Sequence, residues 1–152
     1  MPTRHNLHIV AFVGLEGSGK STAVEYLGTK GFPHATGNDM VSQIEHLALA
    51  GQHRVVTDQL TDLALYQALK HAFPGQLTVV GITANTKVRH ARLAHDLIAP
   101  LNEQEARIED WDEAEKDAGP FALADYFIEN NESKDLLYSQ IDELFEKLEL
   151  VG

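Results

Sequence analysis

Gly14-Leu15-Glu16-Gly17-Ser18-Gly19-Lys20-Ser21 is the stretch on which the reading of this chain turns. It meets the spacing G-x-x-x-x-G-K-[ST] at Gly14, Gly19, Lys20 and Ser21. Ahead of it, Leu7 to Val13 is a short continuous apolar run, which suits a strand buried on both faces of a parallel sheet. Behind it, Lys20 to Thr29 reads as a helix closed by Gly28 and Gly31. Glycines let backbone wrap an anion, and the N–H groups at a helix N-terminus point at it from the positive end of the helix dipole. The setting predicts a phosphate-binding P-loop. Gly14, Gly17 and Gly19 supply backbone freedom, and Ser18 lies in the same cradle. Glu16 is expected to face outward, because a carboxylate aimed at polyphosphate would repel it unless it met a metal-bound water. Lys20 is expected to bridge the β- and γ-phosphates of a purine nucleoside triphosphate, read here as ATP. Ser21 is expected to hold Mg²⁺, with Thr22 near the α-phosphate.

Working outward, His34 to Thr36 leaves room for a brief second strand, and Asn38 or Asp39 caps a helix through about Ala50. Val55 and Val56 lie in a third strand ending at Thr57-Asp58, followed by apolar residues at near-helical spacing from Leu60 to His71. Leu77 to Thr83 is the clearest strand after the first. Thr86 to about His95 and about Glu103 to Lys116 read as helices, with Pro100 between them. Tyr126 to Glu129 reads as a last strand, and an amphipathic helix follows from Ser133. Strands alternating with helices predict an α/β domain of three layers with a five-stranded parallel sheet. Asp58 then stands at the carboxyl edge of that sheet, where it either reaches Mg²⁺ through water or caps the next helix.

The 152 residues suffice for one domain with its own core. With 23 acidic residues against 12 basic ones, the net charge of −11 disfavours a grip on nucleic-acid polymers. There is no cysteine for a disulfide or a thiolate zinc site. The eight histidines show no recognised ligand spacing. Apolar runs are too short to cross a bilayer, so no membrane partner and a cytoplasmic location are the expectation.

The P-loop, Gly37-Asn38-Asp39-Met40, Val55 to Leu60, and Ala122 to Asn131 together resemble P-loop nucleotide kinases, dephospho-coenzyme A kinase and a related uncharacterised archaeal family above all. The resemblance spans nearly the whole chain. It implies one kinase-like domain over 1–152 with a short lid near 92–118. It makes Asp39 the general base facing an acceptor hydroxyl, and Asn130, Asn131 and Ser133 contacts on the adenine side. Lys87 to Leu93 resembles the helix leading into the lid, so Arg89 and Arg92, with Arg107, are the cations implied around the transferring phosphoryl group. Asp96 and Glu109 stand where the family tends to carry basic residues, which leaves the lid poor in positive charge. Trp111, the only tryptophan, is read as covering the core.

The implied function is transfer of the γ-phosphoryl group of ATP to a nucleotide-like acceptor, as in dephospho-coenzyme A kinase. A nucleoside monophosphate kinase is the alternative. So is a nucleotide-binding regulatory module that hydrolyses slowly, which the arginine-poor lid favours.

Overall fold

The apolar run ahead of the loop forms β1 (His8–Val13), and its side chains divide by parity, as extended backbone requires. Val10 and Phe12 enter one buried cluster, while Ile9, Ala11 and Val13 enter another. A strand apolar on both sides must lie inside a sheet. In the computed structural model, which describes residues 7–15, 18–36, 39–60, 62–85, 89, 120–148 and 150, β1 pairs in parallel with both β2 (Arg54–Thr57) and β3 (Leu77–Thr83). β4 (Tyr126–Glu129) pairs in parallel with β3, giving the order β2-β1-β3-β4.

Among the described residues, helices cover the two faces. α1 (Lys20–Thr29) contributes Ala23, Val24 and Leu27 to the cluster around Phe12. α4 (Lys134–Lys147) adds Leu137, Ile141, Leu144 and Phe145 to the same cluster. α2 (Met40–Leu49) and α3 (Leu63–Ala72) cover the opposite face through Met40, Ile44, Ala48 and Leu69. The three layers expected from the sequence are therefore present, with apolar burial on both sides of the sheet as the main cohesive term.

The expected five-stranded sheet is corrected to four strands among the described residues. The segment after α1 touches the outer edge of β2 through a single bridge, His34 to Val56. Val56 N–H donates to the Pro33 carbonyl and Ala35 N–H to the Val56 carbonyl, both at 3.0 Å. Pro33 brings no N–H of its own, and α2 already begins at Met40, so the chain has no length left for a ladder. Gln43 then occupies the main chain of Thr36: its Oε1 accepts from Thr36 N at 3.1 Å and its Nε2 donates to Thr36 O at 2.5 Å. Side-chain bonds thus satisfy backbone groups that a longer edge strand would expose.

A second correction concerns the start of α3. The periodicity included Leu60, yet the helix begins at Leu63, because Asp62 is its N-cap and accepts from Leu65 N at 2.8 Å. Leu60 is buried ahead of the helix, under α2 and α3.

Candidate active site

The four described strands run the same way, so the residues following β1, β2, β3 and β4 meet at one edge of the sheet. The loop after β1 enters with Gly14 at φ +153° and leaves into α1 with Gly19 at φ +117°. A Cβ on Gly14 would overlap the Ile82 carbonyl and lie 2.8 Å from Ser18 Oγ. A Cβ on Gly19 would strike the side-chain amide nitrogen of Asn130. Only glycine meets both the backbone and the space requirement at these two positions. Ser18 N donates to Leu15 O at 3.0 Å, closing the turn, and Lys20 and Ser21 open α1. Glu16 and Gly17 lie outside the described residues.

Asn130 fixes the far end of this loop. It is buried, and its Nδ2 donates to Ser18 O at 2.7 Å across 112 residues of sequence. Its own N–H donates to Thr83 O at 2.7 Å, which carries the β3–β4 pairing one step past the strand. Asn131 Oδ1 accepts from Asn85 N at 2.6 Å, and Ser133 Oγ accepts from Leu136 N at 3.2 Å as the N-cap of α4. The three residues expected on the adenine side thus have contacts that brace the loop, the end of β3 and the last helix.

Beside Lys20, Ser21 Oγ donates to Asp58 Oδ2 at 3.2 Å. The other oxygen, Asp58 Oδ1, lies 2.8 Å from His34 Nε2. The capping alternative for Asp58 falls away, since Asp62 performs that task. A hydroxyl and a carboxylate converging at the mouth of this loop are hard oxygen donors, the chemistry that suits Mg²⁺. Among the described residues no group of three His, Asp or Glu could hold an ion alone, so phosphate oxygens and water would complete its shell. His34 is the site residue that sequence reasoning missed. The usable signal was register: a short segment bridged to Val56 places His34 next to a strand that ends in Asp58.

On the other side of His34, a cavity of about 370 Å³ is lined by His34, Asp39, Ser42, Gln43, His46 and Leu47. That volume is in the range of small-molecule sites. Asp39 occupies the N-cap position of α2, yet its carboxylate makes no capping bond. A larger cavity of about 490 Å³ runs between β4 and α4, lined by Tyr126, Gln140 and Lys147 among others. It contains none of the loop residues, so chemistry rather than size singles out the cavity at Asp39.

Arg89 is 4% exposed, and its Nε donates to Ala84 O at 3.2 Å just beyond β3. It lines a small cavity of about 110 Å³ with Leu15, Ser18 and Phe121, so it stands by the loop after β1 and not beside Asp39. Arg92, Arg107, Trp111 and the whole 92–118 segment lie outside the described residues. Thr22 follows Ser21 in the first turn of α1.

This loop, set between a central parallel strand and a helix, belongs to an α/β fold with a parallel sheet that resembles the fold of P-loop kinases. Solved structures agree on that fold. The chain superposes on a shikimate kinase from Bacteroides thetaiotaomicron with a TM-score of 0.62 and 15% identity, over 93% of this chain and 98% of that one. A gluconokinase from Sinorhizobium meliloti 1021 gives 0.60 and 16%, over 97% and 98%. An uncharacterised protein from Eubacterium ventriosum gives 0.67 and 14%, over 91% and 98%. No protein-family model and no curated protein matches the chain.

Proposed function

We propose that this protein transfers the γ-phosphoryl group of ATP to a hydroxyl on a small acceptor held in the cavity beside Asp39. The observation that carries this reading is the continuity of the site: the hydrogen-bonded set Ser21, Asp58 and His34 runs from the phosphate loop to the wall of that cavity. In the step proposed, the acceptor hydroxyl gives its proton to Asp39 while its oxygen bonds to the γ-phosphorus. The bond from that phosphorus to the β,γ-bridging oxygen breaks, and ADP leaves. Lys20 and the loop N–H groups stabilise charge on the phosphate oxygens, and Ser21 and Asp58 would hold the Mg²⁺ that neutralises the triphosphate. Arg89, which borders the cavity beside Ser18, and Arg92 are proposed as the cations around the transferring phosphoryl group.

The acceptor panel follows from the likenesses. Dephospho-coenzyme A and the nucleoside monophosphates come from the sequence resemblance; shikimate and gluconate come from the names of the structural neighbours. ADP release is measured with ATP and Mg²⁺ for each acceptor in turn, then repeated with Asp39→Asn. The reading requires one acceptor to accelerate release several-fold, and Asp39→Asn to remove most of that acceleration. Release equally slow with every acceptor would favour the hydrolytic regulatory module.

A further inference from the structure

We infer that His34 is a positioning residue that holds the metal-site carboxylate in register with the acceptor cavity; its acceptor half rests on the kinase reading, and its metal half does not. A carboxylate oxygen only accepts, so the 2.8 Å contact with Asp58 Oδ1 requires the His34 proton on Nε2. The second carboxylate oxygen is then aimed at Ser21 Oγ, 3.2 Å away. A serine hydroxyl that offers its lone pairs to a cation needs somewhere to send its own proton, and Asp58 Oδ2 is that acceptor. His34 and Ser21 are the contacts that orient the Asp58 side chain among the described residues. Without His34, only the longer bond to Ser21 limits rotation of the carboxylate.

The same imidazole borders the acceptor cavity beside Asp39. Its backbone is held on one side by the Pro33–Val56–Ala35 bonds and on the other by the Gln43 clamp on Thr36, which ties it to α2. Asp39 sits at the start of that helix. The metal-side carboxylate and the cavity-side carboxylate are therefore linked through one short, doubly anchored segment. The ring is partly exposed, with 36% of its side-chain surface accessible, so its loss removes little from the core.

The test uses His34→Ala and His34→Gln in the whole chain, with dissociation constants for metal-free ATP (in chelator) and for Mn²⁺·ATP measured without acceptor by calorimetric titration. Orienting contacts around a metal site are typically worth roughly 10- to 100-fold in affinity. His34→Ala is expected to weaken Mn²⁺·ATP by about 10-fold while metal-free ATP stays within about two-fold. His34→Gln, whose amide can still donate to Asp58, is expected to recover most of the loss. Wild-type Mn²⁺·ATP affinity in His34→Ala, equal losses with and without metal, or no recovery in His34→Gln each overturns the inference. If an acceptor is found, His34→Ala should also raise its KM more than it lowers kcat. If wild-type protein phosphorylates nothing, the kinase reading fails, and the Mn²⁺ titration still decides the role of His34.

Discussion

Gly19 and Asn130 lie 111 positions apart in the sequence, and the contact between them gives a quantitative test of how the loop is held. Gly19→Ala introduces two costs. The residue must keep φ near +117°, which costs about 1–3 kcal/mol for a non-glycine residue. Its Cβ also displaces the Asn130 amide and breaks the 2.7 Å bond to Ser18 O, leaving buried polar groups unmatched at about 1–3 kcal/mol. The single variant should therefore lose about 2–6 kcal/mol. Asn130→Ala alone should lose about 1–3 kcal/mol, because it removes the same bond. In the double variant the bond can be lost only once and the steric conflict disappears. The double loss should then fall short of the sum of the singles by about 1–3 kcal/mol. Urea unfolding with linear extrapolation measures each corner of the cycle. Additivity within about 0.5 kcal/mol would refute the claim that Asn130 occupies the space that Gly19 leaves.

Other predictions touch different links. Ser21→Ala should raise the Mg²⁺ concentration needed for half-maximal nucleotide binding several-fold while changing stability by less than about 0.5 kcal/mol, as unfolding at fixed pH would show. Asp39→Asn should leave the ATP dissociation constant within about two-fold and reduce acceptor-dependent turnover by roughly 100-fold or more; unchanged turnover would remove Asp39 as the base. His8 packs in the sheet with Nε2 2.8 Å from Thr78 Oγ1, and burial, then the nearby Arg54 charge, holds its pKa below the ordinary 6.5. The unfolded chain thus takes up this proton first, so the contribution of His8 is intact above pH 6.5 and declines as pH falls through and below that value. Melting temperatures over that range should fall more steeply for wild type than for His8→Gln, and parallel slopes would contradict it.

The bounds of α1, β3 and β4 were legible because local signals fix them: a motif that must open a helix, and apolar runs bounded by turn residues. The second strand was not, because Pro33 and the early start of α2 limit its pairing, and the Gln43 clamp on Thr36 has no composition signature. Gly14, Lys20 and Ser21 lie within eight positions of one another, so spacing alone places them on one strand-to-helix loop. The place of Asp58 just past a strand end was legible too. The contacts that orient these residues, His34 on Asp58 and Asn130 on Ser18, depend on strand register and on chain segments 24 and 112 residues apart. Single-sequence periodicity carries no information on such pairings. Arg89, singled out for its charge, is buried with its Nε on Ala84 O and borders a small cavity with Ser18, a placement that periodicity does not encode.

Whether the loop from Gly14 to Ser21 holds a metal-bound triphosphate decides every later step, and calorimetric titration with Mg²⁺·ATP measures it directly. Wild-type protein should bind one equivalent, and Lys20→Ala, which removes the cation proposed to face the β- and γ-phosphates, should bind at least 10-fold more weakly, about 1.4 kcal/mol. Absence of heat with wild-type protein, or equal affinity for the two proteins, would contradict the assignment of this loop as the nucleotide site.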